Sequence, residues 1–231
     1  MAEKTRSFSA RLFRFFLKVI VYFILISVGL TLAYKFLPVP ITATMLLDDN
    51  GARRDWTSID DISPNMVRGV ISAEDSKFCA HDGFDREAIE AAIRRNAEGG
   101  RIRGGSTISQ QTAKNVFLWQ NGGYFRKGLE AYFTFLIEKI WGKRRIMEVY
   151  LNVAETGIGT YGAEAGAQRY FKKPAKHLTR IESARIAAAL PLPKKRGVAN
   201  PKGFTRRYGN SIAARISVVK RDQLDDCIYR Y

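Results

Sequence analysis

The feature that most constrains this chain is an uncharged run of sixteen residues, from Val19 to Tyr34. Lys18 and Lys35 flank the run, and their long side chains can reach the polar edges of a bilayer, so the pattern predicts one membrane-spanning helix. Sixteen helical residues rise only about 24 Å against a hydrocarbon core of roughly 30 Å, so the predicted span extends over residues 12–37. A cleaved signal peptide is the alternative, but the run is long for one and no clear A-x-A site follows it.

The charge distribution predicts the orientation of this span. Basic residues outnumber the single acid, Glu3, before the run, which favours a cytoplasmic N-terminal tail over residues 1–11 and places everything after Pro38 outside the cytoplasm. The residues after 37 include 32 basic and 21 acidic side chains, a net charge of +11. We therefore expect anionic partners such as lipid headgroups or phosphate-bearing substrates. Nucleic acid is not an expected partner, because the chain has no zinc-finger or RNA-recognition signature.

The chain has two cysteines, Cys79 and Cys227. They are too few for a disulfide framework and too far apart in the sequence for a metal-binding motif. They could pair in an oxidising compartment, and the sequence leaves that pairing open.

The rest of the chain is expected to be mainly α-helical. Pro38 and Pro40 end the first helix, residues 38–60 are expected to form a connector, and residues 61–231 a folded domain. Apolar residues recur at helical spacing, no stretch shows the alternation of a strand, and glycine clusters separate the segments. Helices are expected around residues 67–78 and 129–140, and over residues 86–97, 106–117, 143–153, 161–171 and 181–190.

Two glutamates stand where the helical pattern predicts apolar side chains. Glu74 shares a helix face with Ile71 and Phe78, and Glu130 lies among apolar residues at helical spacing. Burying a carboxylate is costly and raises its pKa, which suits a general acid or base near neutral pH. Two such carboxylates suggest sugar chemistry. The alternative is a structural role, in which Glu74 pairs with an arginine such as Arg68.

A glycine-rich stretch over residues 104–111 runs into a helix that Ser106 or Thr107 is expected to cap. Free N–H groups at a helix start favour phosphate oxygens. The basic residues that could surround a phosphate at this helix start are Lys114, Arg126 and Lys127. Alone, each of these features is ordinary, because most such turns merely start helices and most single cations are solvated.

Five segments, in a fixed order, carry the most distinctive residues of the chain. They are Glu74-Asp75-Ser76-Lys77-Phe78 with His81 and Gly83; residues 104–111 with Lys114 and Asn115; residues 126–130; residues 145–152 with Gly157, Tyr161-Gly162, Glu164 and Tyr170-Phe171; and residues 184–193. In residues and order they resemble the signatures of the peptidoglycan glycosyltransferases, glycosyltransferase family 51. The resemblance covers roughly residues 62–201, with small departures at Ser109 and Leu192.

The resemblance implies a mainly α fold, a lysozyme-like glycosyltransferase domain preceded by one N-terminal transmembrane helix. It implies the monofunctional, anchored type, because no transpeptidase domain follows in this sequence. The implied reaction polymerises lipid II into β-1,4-linked glycan strands with inversion, and it releases undecaprenyl pyrophosphate at the periplasmic face of the bacterial inner membrane. The implied partners are lipid II, the growing glycan strand, that membrane, and other proteins of cell-wall synthesis or division.

The same resemblance implies roles for individual residues. Glu74 is expected to be the general base on the 4-hydroxyl of the acceptor sugar. Glu130 is expected to orient donor-site cations or, with Glu74, a divalent cation such as Mg²⁺ or Mn²⁺, and no tightly bound cofactor is implied. Lys114, Arg126 and Lys127 would offset the charge of the departing pyrophosphate. The further residues expected to contact substrate or support the cleft are Asp75, Phe78, His81, Ser106, Thr107, Gln110, Gln111, Asn115, Glu148, Tyr150 and Asn152.

Two other functions remain open from the residues alone. A lytic hydrolase of similar fold would also use two carboxylates in a cleft. A non-catalytic anchored module could bind anionic lipid or a cell-wall partner through the +11 domain, but it would leave the inward-facing Glu74 and Glu130 unexplained. Reaction with lipid II in the absence of preformed glycan distinguishes these alternatives from a polymerase.

Overall fold

The computed structural model of the protein describes residues 8–97, 105–120 and 122–229. The chain divides into two compact units, the first ending at Leu37 and the second beginning at Pro38. Most of the predicted cytoplasmic tail, residues 1–7, lies outside the described residues, as does Gly104 of the 104–111 stretch.

The first unit contains one long helix, α1, which spans Phe8–Phe36. Its most apolar window has a mean hydropathy of 2.4, and it is the one helix of the described residues that is long and apolar enough to cross a membrane. Its 29 residues rise about 43 Å, more than the roughly 30 Å of a hydrocarbon core. The helix begins well before the uncharged run and ends two residues after it, and it fits a single-pass anchor.

The second unit is mainly α-helical, as predicted. The expected helices are found with ends that differ by a few residues, and a long C-terminal helix, α10, is present that the sequence pattern did not predict. The helices of this unit are α2 (Ala43–Leu46), α3 (Pro64–Glu74), α4 (Arg86–Ala97), α5 (Ile108–Phe117), α6 (Gly123–Ile140), α7 (Lys143–Val153), α8 (Ala163–Phe171), α9 (Arg180–Ala189) and α10 (Gly203–Arg221).

Local chemistry sets where the central helices start. Thr107 caps α5 through a reciprocal capping box with Gln110, and Thr179 caps α9 in the same way with Glu182. Pro64 occupies the first turn of α3, where its missing N–H costs nothing. The starts of α3, α5 and α9 are thus fixed by residues within three positions of them.

The end of α3 differs from the sequence prediction. The helix stops at Glu74 and does not continue to Phe78, because Asp75 takes an extended conformation and its carboxylate accepts hydrogen bonds from His81 and from the backbone N–H of Ile108. Phe78 lies in the following turn and is completely buried. The predicted shared helix face of Glu74 and Phe78 is therefore wrong, although Glu74 does sit at the end of a buried helix.

Two helix packings position the residues of interest. Helix α3 packs against α9 and α10 through small residues, so a Cβ on Gly69 would already lie 3.5 Å from Ile216 and 3.6 Å from Ala187. Helix α5 packs against both α6 and α7. The C-terminal end of α3 meets the start of α5 through the bond from Ile108 to Asp75, so residues of α3, α5 and α6 come together.

A small sheet joins the N-terminal part of the second unit to its centre. Strand β1 (Arg53–Arg54) pairs parallel with β3 (Thr160–Tyr161), and β3 pairs antiparallel with β2 (Glu155–Gly157). These strands of two or three residues are too short to show alternation, which is why the sequence pattern did not indicate them. Because β1 lies within residues 38–60, the predicted connector packs as part of the same compact unit.

Cys79 and Cys227 form a disulfide with a Cα–Cα distance of 5.4 Å, which closes the question that the sequence left open. The bond ties the turn after α3 to the C-terminal residues. Beside it, Arg68 donates a 2.7 Å hydrogen bond to the fully buried carboxylate of Asp225, so Arg68 is not the partner of Glu74. Arg144 also bonds the carbonyl of Ile228. The C-terminal residues are thus held against α3 and α7.

Candidate active site

Glu74 lies at the C-terminal end of α3 with its carboxylate largely enclosed. Its Oε2 accepts a 2.9 Å hydrogen bond from Nε2 of Gln111 on α5. Its Oε1 is buried and has no hydrogen-bond partner among the described residues. Burial raises the pKa of Glu74 above its ordinary value, and the bond from Gln111 and the charge of Arg196 oppose this rise. One carboxylate oxygen is therefore basic and free to take a proton.

Gln111 connects Glu74 to a tyrosine. The hydroxyl of Tyr150 donates a 3.3 Å hydrogen bond to Oε1 of Gln111, whose amide nitrogen then faces Glu74. Burial raises the pKa of Tyr150 well above its ordinary value, with negative charge on Glu74 acting in the same direction. The tyrosine therefore remains protonated and donates to Gln111. This bond orients the amide of Gln111 so that its nitrogen bonds Oε2 of Glu74, and Oε1 of Glu74 stays free.

Glu130 has a different environment. It lies on α6 with only 3% of its surface exposed, and both of its oxygens are engaged by cations. Arg126 donates a 2.8 Å bond to Oε2, and Lys127 bonds Oε1 from the adjacent turn. The carboxylate thus holds two cationic side chains in place.

A continuous path of hydrogen bonds joins the two glutamates. Nε2 of Gln111 bonds Glu74 and also lies 3.4 Å from the carbonyl oxygen of Ser106. The hydroxyl of Ser106 accepts a 3.3 Å bond from Lys127, which is bound to Glu130. Glu74 and Glu130 therefore belong to one polar network, as expected of a shared site.

Lys114 on α5 interacts electrostatically with both glutamates. Burial lowers the pKa of its ammonium group, and the charges of Arg126 and Lys127 also lower it, while Glu130 opposes them. No hydrogen bond or ion pair holds this ammonium group within the described parts of the chain. An incompletely solvated cation of this kind is disposed to bind an anion.

The start of α5 does not offer the free N–H groups that the sequence suggested. The N–H of Ile108 bonds Asp75, and the N–H of Gln110 bonds Thr107. The hydroxyl of Thr107 also bonds the carbonyl of Gly83. The expectation of an open phosphate site at this helix start is therefore wrong, because the neighbouring side chains, including a carboxylate, already occupy it.

A cavity of about 560 Å³ opens beside this network. Its walls come from α5, the end of α7, β3, residues 44–48 and residues 190–195. The predicted site residues that line it are Gln111, Lys114, Asn115 and Tyr150.

Several other predicted residues support the framework. Phe78 packs under the ammonium group of Lys143, 4.6 Å from the ring centre. Glu148 accepts a bond from the N–H of Ile59 and pairs with Arg145. Asn152 bonds both the N–H and the carbonyl of Thr57. Glu74 and Glu130 do not line the cavity, and their network reaches it through Gln111. The other predicted residues outside the lining are Asp75, Phe78, His81, Ser106, Thr107, Gln110, Arg126, Lys127, Glu148 and Asn152.

Sequence reasoning missed a second polar cluster in the cavity wall. Asp48 accepts a 2.7 Å bond from the hydroxyl of Tyr161 and a 3.1 Å bond from Lys194. The bonds from Tyr161 and Asn50 are the main causes that hold the pKa of Asp48 well below its usual range, and Lys194 adds to them. Glu155 lies 3.8 Å from the same ammonium group. The basic stretch over residues 191–202, which contains Lys194, was the one sequence signal of this cluster. Nothing in the sequence indicated that residue 48 would pack against that stretch.

The two glutamates do not fit a resident Mg²⁺ or Mn²⁺ ion. Both oxygens of Glu130 are already bound to cations, and Lys114 adds a further positive charge between Glu130 and Glu74. A divalent cation prefers carboxylate oxygens that are free to coordinate it. Arg126 and Lys127 therefore take the place that a metal ion would need at Glu130.

Comparison with known proteins shows the family of the chain. Residues 41–217 match the family model described as Transglycosylase. The chain is 52% identical over 198 residues to the biosynthetic peptidoglycan transglycosylase of Caulobacter vibrioides, covering 84% of this chain and 86% of that protein. It is 45% identical over 222 residues to the protein of the same name from Rhodospirillum centenum, covering 94% and 96%. For the Escherichia coli protein of that name the identity is 48% over 204 residues, with 84% of each chain covered.

These matches extend over most of this chain and most of each relative. The chain therefore belongs to the transglycosylase family, alongside the biosynthetic peptidoglycan transglycosylases.

Proposed function

We propose that this protein is a peptidoglycan glycosyltransferase that polymerises lipid II into β-1,4-linked glycan strands and releases undecaprenyl pyrophosphate. The observation that carries the proposal is Glu74, an enclosed carboxylate with one unbonded oxygen in the same network as a cation-bound Glu130. Family membership and the names of the similar proteins support cell-wall glycan synthesis as the reaction.

In the proposed step, Oε1 of Glu74 takes the proton of the acceptor sugar's 4-hydroxyl. The oxygen attacks the anomeric carbon of the donor from the face opposite the pyrophosphate, and the new C–O bond forms as the bond to the pyrophosphate oxygen breaks. The leaving group carries away the electron pair, and the anomeric centre inverts. Removing a proton by a positioned base typically contributes a hundredfold to ten-thousandfold in rate.

The cations of the network suit the other half of the reaction. As the glycosidic bond to phosphate breaks, negative charge grows on the pyrophosphate, and fixed cations in an enclosed site stabilise it. Lys114 is available for this, since no described side chain neutralises it directly, and Arg126 and Lys127 are oriented by Glu130. In this proposal Glu130 positions the two cations and takes no proton.

We further propose that the catalytic unit lies outside the cytoplasm, with α1 as its anchor in the inner membrane. The apolar length of α1 and the basic residues before it support this arrangement. The disulfide between Cys79 and Cys227 agrees with an oxidising compartment such as the periplasm. Orientation can be tested by asking whether added protease cleaves the domain in spheroplasts or only after they are lysed.

The reaction is tested with purified full-length protein, labelled lipid II and detergent. The proposal predicts a ladder of lengthening glycan that lysozyme digests, and no shortening of preformed glycan supplied in parallel. Hydrolysis of the preformed glycan without growth from lipid II would instead identify a lytic enzyme, and no reaction with either substrate would favour a binding module.

A further inference from the structure

The cavity wall contains two acidic side chains, Asp48 and Glu155, that the proposed reaction does not use. Glu155 begins β2, directly after the end of α7, and its side chain lines the cavity with 15% of its surface exposed. The backbone of Gly159 provides a hydrogen bond to its carboxylate. Its Oε1, however, is enclosed and has no hydrogen-bond partner within the described residues.

The nearby lysine does not satisfy this oxygen. The ammonium group of Lys194 lies 3.1 Å from Asp48 but 3.8 Å from Oε1 of Glu155, which is beyond hydrogen-bond reach. Asp48 is thus the primary partner of the lysine, and Glu155 keeps an acceptor without a donor. Burial raises the pKa of Glu155, and the positive charge of Lys194 at 3.8 Å offsets this rise only in part.

A buried polar atom without a partner is rare in folded proteins, and in a cavity it indicates a group that an occupant completes. The carboxylate also restricts what that group can be. A phosphate oxygen would be repelled by Glu155, whereas a neutral O–H or N–H would gain a strong bond to a charged acceptor. The cavity therefore has a cationic part at Lys114 and a hydrogen-bond-accepting part at Glu155.

We infer that Glu155 is a substrate-recognition residue whose free oxygen accepts a hydrogen bond from a hydroxyl or amide N–H of the glycan unit in the cavity. This inference rests on the proposed function, because it takes the glycan substrate as the occupant. The donor can come from the sugar, through a hydroxyl or acetamido group, or from the stem peptide, through a backbone amide. Glu155 takes no part in the proton transfer at Glu74.

The test measures binding with the chemistry switched off. In full-length protein carrying Glu74→Gln, the dissociation constant for lipid II is measured with and without Glu155→Ala. Loss of a bond to a charged acceptor is expected to weaken binding about tenfold or more. Glu155→Gln, which keeps an acceptor oxygen and the side-chain shape, is expected to lose less. Asp222→Asn, which removes one negative charge from an exposed pair with Arg221, is the matched control and should bind as the parent does.

Two further comparisons separate recognition from indirect effects. If Glu155 acted only by orienting Lys194, the effect of Glu155→Ala would vanish in a Lys194→Met background, and we expect it to persist there. Repeating the titration with a lipid-linked disaccharide that lacks the stem peptide identifies the donor. A persistent loss assigns the donor to the sugar, and a loss seen with lipid II alone assigns it to the peptide.

Unchanged affinity of a folded Glu155→Ala protein for both substrates would overturn the inference, as would complete dependence on Lys194. Either result is distinct from failure of the proposed function. If the proposed function failed, protein with the natural Glu74 and Glu155 would make no glycan from lipid II.

Discussion

The disulfide offers a prediction whose size follows from its place in the chain. Cys79 and Cys227 are 148 residues apart, so the bond closes a loop that includes most of the catalytic unit. In the chain-entropy treatment a loop of this length lowers the entropy of the unfolded chain enough to stabilise the folded state by about 5 kcal/mol at 25 °C, and measured effects are typically 2–4 kcal/mol. The double variant Cys79→Ser, Cys227→Ser should therefore lose about 2–5 kcal/mol of unfolding free energy.

The measurement is thermal unfolding of full-length protein in detergent, followed by intrinsic fluorescence at a fixed scan rate. For a chain of this size each kcal/mol corresponds to roughly 2–4 °C in Tm, so the double variant should unfold roughly 4–20 °C lower. Reductant should lower the Tm of the natural protein by a similar amount and leave that of the double variant unchanged, since the chain has no other cysteine. A shift below about 2 °C in both experiments would refute the loop-closure argument.

Three further predictions concern the ion pair and the site. Asp225→Ala should lower the unfolding free energy by about 3–5 kcal/mol, because it removes the buried carboxylate that Arg68 bonds; a double Arg68→Met, Asp225→Leu variant should lose much less in the same denaturant titration. Lys114→Met should reduce polymerisation strongly without lowering Tm, because it removes a partly desolvated cation, and a matched loss of Tm would show a structural role instead. The polymerisation rate should rise with pH as Glu74 ionises, at a pKa above the ordinary 4.5. It should fall again at higher pH as Lys114 loses its proton, at a pKa below the ordinary 10.5. Lys114→Arg should move only the alkaline limb upward.

The sequence pattern predicted the helices well because their periodicity and caps are local. The capping boxes at Thr107 and Thr179 involve residues three positions apart, and both can be read directly from the sequence. Helix α10 was missed because the preceding basic stretch looks like a loop, and its buried face becomes apparent only when Ile212 and Ile216 pack against α9. The short strands were also missed because their pairing depends on residues distant in the sequence, residue 53 with residue 160.

The burial of candidate residues could be predicted where they lie on regular elements, but not where it depends on distant pairings. Glu74 and Glu130 stood out as carboxylates among apolar neighbours, and the structure confirms that their carboxylates are enclosed. Asp48 and Glu155 both lie beside Lys194, which is 146 residues from Asp48, so no local sequence pattern groups them. The expected free helix start at residue 108 failed because Asp75 reaches it from α3, a contact that no local pattern contains.

The central claim is that Glu74 is an enclosed base held ready by the fold at some cost in stability. Since its folded-state pKa is raised, the protonated form is the stabilised one, and the stability it contributes at low pH is lost as pH rises through that pKa. The most direct measurement compares lipid II polymerisation and Tm for Glu74→Gln, with exposed Glu87→Gln as the matched control. We predict a rate loss of about a hundredfold to ten-thousandfold for Glu74→Gln with Tm unchanged or higher at neutral pH, and no change in rate for the control. Near-normal polymerisation by a folded Glu74→Gln protein would contradict the account.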